Sequence, residues 1–506
     1  MMSRGPGPRP PSLLRNLLSL IGMVIAVTST VLGLPLMFVD MFSRHTPAYL
    51  SVVVYLVLPF VAAGGILCIL LGALWERRRR ARQPGMVIPP LPRLDLNQPA
   101  HQAVVAGALT AVMVIVVLLS VTGYQAYHFT ESVKFCGLVC HQVMRPEYIA
   151  YQHSPHARVA CTQCHVGPGA SWFVRSKISG AYQVYAVATN KYPRPIPTPV
   201  KNLRPAQETC EQCHWPSKFF GAQQKTFNHY LADEQNSPWQ IQMLLKIGGG
   251  DPATGAAAGI HWHMNIKNEI YYIAADETRE TIPWVRVVDP EGRTTEYMSS
   301  EQPLSPEQVA KAQIRRMDCV DCHNRPSHIF RPPDRAAEEA FETGRLDRSL
   351  PYLKRESMRL LAQPYASDAE ASAAILKGLA AFYQTEYPDL SREKGVAIQQ
   401  ATAELQRIYA KNFFPQMRVD WRAHPNHVGH LNAAGCFRCH DGQHKSREGT
   451  VITKDCNACH TIMAQGPPEE VAQARLEAQP FRHPVDAGVD VTEFKCSECH
   501  TGTSGL

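Results

Sequence analysis

Residues Tyr127–Lys177 read YHFTESVKFCGLVCHQVMRPEYIAYQHSPHARVACTQCHVGPGASWFVRSK. An apolar run ends at Tyr127, and two cysteine–histidine clusters follow: Cys136, Cys140 and His141, then Cys161, Cys164 and His165. In a C-x-x-C-H sequence the two thiols form thioethers to the vinyl groups of a haem, and the adjacent histidine reaches the iron. An extended chain covers at most roughly 3.5 Å per residue, so the first such centre stands within about 30 Å of the end of the apolar run. The stretch joins a membrane-spanning pattern to a haem-attachment pattern, and the rest of the chain is read outward from that junction.

Downstream, the same signal recurs at Cys210/Cys213/His214, Cys319/Cys322/His323, Cys436/Cys439/His440, Cys456/Cys459/His460 and Cys496/Cys499/His500. The motif at Cys136 and Cys140 is one residue wider than the others. Of the 15 cysteines only Cys68 stands outside these pairs. Chance would produce roughly 0.02 regular motifs in a chain this long. A disulfide framework needs no histidine after every pair, and zinc sites would need a partnered second pair. Seven covalently bound haem c groups are expected. The formal charge of +7 does not argue for nucleic acid, because about two propionates per haem, roughly 14 charges in all, would reverse its sign.

Upstream lie three apolar runs, Leu17 to Val39, Tyr49 to Trp75 and Ala103 to Tyr127, each longer than the roughly 20 residues that cross a bilayer as helix. Arg4, Arg9 and Arg15 precede the first run and Arg77 to Arg80 with Arg82 follow the second. The positive-inside rule therefore places the amino terminus in the cytoplasm and the haem domain in the periplasm of a bacterial inner membrane. That side is also where thioether-bound haem persists.

The expected fold is mainly α: three N-terminal transmembrane helices followed by a helical, loop-rich multihaem cytochrome c domain with a small antiparallel β insert. The boundaries read 1–128 for the anchor, 129–235 for haems 1–3, 236–330 for the insert and haem 4, 331–415 for a helical spacer and 416–506 for the last three haems. Helices are expected at Ser171–Thr189, Ser305–Met317, Asp334–Thr343, Asp368–Gln384 and Arg392–Lys411, with Ser367 and Ser391 as caps. Strands are expected in HWHMNIKNEIYYIAA, TIPWVRVV and TTEYM, the last two joined by a turn at Asp289–Gly292.

The exit from the membrane followed by FCGLVCHQVMRPEY and HSPHARVACTQCHVGPGASWFVRSK resembles the NapC/NirT family of membrane-anchored quinol-oxidising cytochromes, over about Tyr124 to His214. With seven motifs and the tail GHLNAAGCFRCHDGQH, the whole chain is most similar to the ImcH-type seven-haem branch. The resemblance implies a quinol site beside the first haem, with Lys177 at the position of a family lysine. A family acidic residue is missing, since Gln183 and Val184 stand there. Either Met144 or His141 could ligate the first iron. Lys177 would orient a quinol oxygen, and Glu131, His128 or Glu147 would take the proton.

The surplus of histidines supplies sixth ligands, and His156, His328, His430 and His444 are the candidates nearest to motifs. The expected activity is quinol:cytochrome c oxidoreduction, with menaquinol or another quinone, the lipid bilayer, and periplasmic c-type cytochromes or a terminal reductase as partners; a homo-oligomer is left open. The alternatives are a reductase acting on a small oxyanion, and a conduit carrying electrons in reverse to quinone.

Overall fold

The computed structural model describes residues 13–42, 57–82, 95–139, 141–167, 169–200, 203–215, 218–248, 259–264, 268–472 and 477–503. They fall into two compact units, Met1–Ser132 with His165–Tyr185, and Val133–Cys164 with Ala186–Leu506. Helices α1 (Leu17–Phe42), α2 (Leu58–Arg82) and α3 (Pro99–Thr130) precede the first motif, and α4 (His141–Gln152) and α5 (Ala170–Ala188) flank the second. Helices α6 (Pro333–Glu342), α7 (Leu353–Leu361), α8 (Asp368–Glu386) and α9 (Gly395–Asn412) follow the fourth.

In the first unit α1 packs closely on α2 because small residues line the crossing. A Cβ on Gly22 would lie 2.5 Å from the Gly65 carbonyl oxygen, and one on Gly72 would lie 2.4 Å from Ser19 Oγ, so the backbones approach as they do in membrane helix pairs. Ser19 Oγ donates to the Ile69 carbonyl at 3.2 Å. Two helices among the described residues are long and apolar enough to cross a membrane, Leu17–Phe38 and Leu58–Arg82. Three spans were expected, and these are the two found among the described residues. The third apolar run folds as part of the 32-residue α3, with Val104, Met113, Val114 and Val121 exposed and the side chains of 115–120 outside the described residues.

The peptide core of the second unit is built by the cysteine-free helices. Ala371, Ile375, Leu379 and Tyr383 recur every four residues along one side of α8 and are wholly buried. They meet Ala337 and Ala340 of α6, Leu353 and Leu361 of α7, and Ala401 and Leu405 of α9. Val143 and Ala150 of α4 join the same cluster. Ser367 caps α8, accepting the Glu370 N–H at 3.2 Å, as its sequence promises. Ser391 does not cap α9: it lies inside the short helix Pro388–Glu393, and Lys394 stands at the cap position. Helix α7 lacks an N-terminal side-chain cap, starting from Tyr352 in a left-handed conformation. That removes the usual start signal and explains why it was not expected.

The strands form two antiparallel sheets instead of one insert. The first has order β1-β2-β8 and the second β6-β3-β4-β5-β7, with β1 at Gln223–Tyr230, β2 at Pro238–Leu245, β3 at Glu269–Ile273, β4 at Trp284–Val288, β5 at Thr294–Ser299, β6 at Arg315–Arg316, β7 at His444–Ser446 and β8 at His460–Gly466. The expected β4–β5 hairpin is present, its turn closed by Gly292 N–H to the Asp289 carbonyl at 2.9 Å. The helix expected over Ser305–Met317 stops at Lys311, because Arg315 and Arg316 pair with Tyr272 and Tyr271 at the sheet edge. The His261–His263 segment, read as strand, is a 3-10 turn over Ile260–Met264.

Candidate functional site

Each motif is a single tight turn, and that is what its chemistry requires. The N–H of the motif histidine donates to the carbonyl of the first cysteine at 2.8 Å in His214, His323 and His500, and at 3.0 Å in His440. Positions i, i+3 and i+4 of such a turn share one side, so two thiols and one imidazole can meet the same porphyrin. The second motif is likewise one helical turn, Cys161–His165. In the wider first motif the additional residue is absorbed as a π-helical turn, Phe135–Val139. Gly137 within it is buried under Tyr148: a Cβ there would come within 2.2 Å of the ring. Cys140 and the side chain of His141 lie outside the described residues, and Met144 is half-buried on α4.

Cys499, expected to hold the seventh haem, is exposed, as are Cys164, Cys213 and Cys322. It ends the four-residue helix Cys496–Cys499. Its spacing still serves attachment: Cys499 lies one turn after Cys496, close enough for the two thiols to act on each other electrostatically.

Five motif histidines each face a second histidine. Ring centres lie 6.0 Å apart for His156 and His214, 6.3 Å for His261 and His323, 5.8 Å for His263 and His440, 6.2 Å for His430 and His460, and 6.0 Å for His483 and His500. A metal–imidazole bond is about 2 Å long and the ring centre lies about 1 Å beyond the nitrogen, so two imidazoles on one iron have centres roughly 6 Å apart. The residues therefore fit six-coordinate haem c. Their other nitrogens are held as metal-binding imidazoles usually are. Nδ1 lies 2.7 Å from the Ile247 carbonyl in His261, 2.9 Å from that of Ile260 in His263, 2.8 Å from that of Thr453 in His440 and 2.7 Å from that of Val485 in His483. Nε2 of His424 is buried with no hydrogen-bond partner, which is the condition a metal would relieve.

The motifs follow one another in space as they do in the chain. The thiols of Cys136 and Cys161 are hydrogen-bonded, as are those of Cys210 and Cys319. Electrostatic contact continues the series: Cys164 feels Cys210 and Cys213, Cys322 feels Cys436, Cys459 feels Cys436 and Cys496 feels Cys456.

Of the sequence candidates for sixth ligands, His156 and His430 stand opposite motif histidines. His444 is placed otherwise and is corrected: its Nδ1 lies 3.0 Å from Asp441 Oδ1 and its Nε2 lies 2.7 Å from the Ile282 carbonyl, so both nitrogens are spent. His328 directs Nδ1 at the Glu147 carbonyl, 3.0 Å away. Sequence proximity did not single out His261, His263 and His483, because each is brought to its motif by folding and not by spacing. His424, another of the surplus histidines, is buried, which pushes its pKa down to about 4.

Within the first unit, Lys177 of α5 and Glu131 at the end of α3 meet: Nζ lies 2.6 Å from Oε1. The same ammonium lies 4.7 Å from the Phe173 ring centre, and Phe173 packs 6.1 Å from Tyr127. His128 is stacked edge-on against Tyr124 at 4.3 Å. Gln183 bonds to Ser179 at 3.3 Å. Glu147 belongs to the second unit. Both its oxygens lie 3.1 Å from Arg325 Nη2. Burial would raise its pKa, but Arg325 and His328 outweigh that and hold it below the ordinary range.

A family model described as the NapC/NirT cytochrome c family, N-terminal region, matches residues 98–196. The chain is 45% identical over 485 residues to the cytochrome c-type protein ImcH of Geobacter sulfurreducens, covering 96% of this chain and 95% of that protein. No solved structure matches. The apolar helices, the haem-attachment turns and this near full-length similarity agree: the chain belongs to the NapC/NirT family of membrane-anchored multihaem c-type cytochromes, which carry covalently bound haem c and transfer electrons.

Proposed function

We propose that this chain is a seven-haem quinol dehydrogenase that oxidises menaquinol, or a related quinol, where α3 meets α5, and delivers electrons to periplasmic c-type cytochromes or a terminal reductase. The observation that carries this reading is the Lys177–Glu131 pair at 2.6 Å, set among Phe173, Tyr127 and His128 where the apolar α3 ends. Ile178, Tyr182 and Tyr185 of α5 are exposed and recur on one helical side, giving a lipid-soluble donor an apolar approach.

Oxidation of a quinol releases two protons and two electrons. Lys177 donates a charge-assisted hydrogen bond to one quinol oxygen and fixes the ring. Glu131, freed from the ion pair as the quinol enters, accepts the hydroxyl proton and passes it to water on the outer face. The aromatic rings exclude water from the bound ring. Covalently held haem supplies the one-electron acceptors. His156, His261, His263, His430 and His483 would hold the irons together with His214, His323, His440, His460 and His500, so that the protein would supply both imidazoles to each of five haems. That favours electron carriage over a reductase that would need an open iron for an oxyanion.

The test uses the full chain in detergent, reduced by a menaquinol analogue under anaerobic conditions. Lys177→Leu is expected to slow haem reduction at least ~10-fold, and Glu131→Gln by about 10²-fold, with haem content unchanged. Wild-type rates in both variants would remove this pair from the reaction.

A further inference from the structure

The two histidines of the sequence His261-Trp262-His263 do not serve one centre. His261 faces His323 of the fourth motif at 6.3 Å, while His263 faces His440 of the fifth at 5.8 Å. We propose that this single turn ligates two successive haems, one on each side, and is the clasp that fixes the fourth and fifth centres against each other.

Three observations support a built clasp. The turn is fastened to the chain leaving β2: Ile260 N–H donates to the Lys246 carbonyl at 2.8 Å, and His261 N–H to that of Ile247 at 3.3 Å. Each imidazole has its Nδ1 held by a carbonyl, which turns Nε2 outward in both. Trp262 between them packs on the cluster of Ile270, Tyr272, Ile282 and Val285, which also receives Cys439 of the fifth motif, and its carbonyl accepts from Asn268 at 3.1 Å. The two motifs are tied to each other directly as well. Arg438, between the cysteines of the fifth, donates to the carbonyl of Asp321, between the cysteines of the fourth, at 2.6 Å.

The two pairs differ in a way that a spectrum can read. The rings of His261 and His323 are nearly parallel, at 6°, and those of His263 and His440 nearly perpendicular, at 87°. Axial ligands set the electronic state of the iron: parallel imidazole planes give a rhombic low-spin ferric signal, and perpendicular planes give a single feature at large g.

The experiment is electron paramagnetic resonance of the oxidised full chain, with total haem measured alongside. His261→Ala should convert one haem's worth of rhombic signal to high spin, His263→Ala should convert one haem's worth of the large-g signal, and the double variant should convert both. Added imidazole should restore each low-spin signal. If either replacement fails to incorporate haem, His261→Met and His263→Met take its place. Each should move a single component of the redox titration upward. The inference rests on the paired-histidine reading above, so His483→Ala is the control. If His483→Ala releases one haem to high spin while the turn variants release none, or release the same one, the clasp is wrong and the pairing stands. If no variant releases any, the pairing itself is wrong.

Discussion

Glu338 lies almost wholly buried on α6 with three basic side chains around it: Arg335 at 2.8 Å, Lys354 at 3.3 Å and His229 at 3.2 Å. Burial works against its charge, but Lys354 and then His229 and Arg335 prevail and pull its pKa down to about 2. A folded-state value below the unfolded one contributes stability above roughly pH 4.5, and that stability is lost as pH falls toward 2. Glu338→Gln should therefore flatten the fall in stability over that window. It should also cost roughly 3 kcal/mol at pH 7, because Lys354 is left buried without its carboxylate. Urea unfolding followed across pH checks both, and a parallel downward shift with an unchanged slope would contradict the ion-pair account. Thioether chemistry fixes the spacing of two cysteines and a histidine, so the reading of the attachment residues rests on local sequence alone. The opposing imidazoles are under no such constraint. His444 lies four residues after His440 yet spends both nitrogens on Asp441 and Ile282, whereas the distant His263 faces His440.

Among the elements, those whose local signals agree with their packing were legible: α8 with its capping serine and four-residue apolar repeat, α5, α6, and the hairpin of β4 and β5. Those decided by long-range pairing were not. The sequence around Arg315 reads as the continuation of a helix, but β3 offers an open edge that takes it as a strand. Strand β8 pairs with β2 across a large sequence separation, and no turn signal announces that. Two contrasts test the local assignments. Ser367→Ala should cost about 1 kcal/mol as a lost cap, while Ser391→Ala, inside a short helix, should cost much less; equal losses in thermal unfolding would refute the cap assignment. Gly22→Val forces a side chain into the backbone of α2 and should lower the thermal midpoint of the detergent-solubilised protein, whereas Gly64→Val meets nothing within 4 Å and should leave it near wild type.

At the scale of the whole molecule, the haem turns carry the function while the cysteine-free helices supply the peptide core. Sequence reading cast those helices as a spacer. Their buried stripes show why they are more than that: the motif-bearing segments are short turns and loops with little apolar surface of their own, and Val143 and Ala150 of α4 lean on the helices. Thiols of consecutive motifs are neighbours in chain order, so the attachment sites form a continuous series. Intact mass should exceed that of the polypeptide by seven haems; an excess of six would mean that the wide Cys136–Cys140 motif stays empty. The most direct measurement is stopped-flow mixing of the oxidised, full-length protein with a reduced menaquinol analogue. Rapid appearance of the reduced haem spectrum, slowed in Lys177→Leu, is the predicted result. A spectrum that stays oxidised with quinol, yet is reduced by a periplasmic cytochrome donor, would contradict the account.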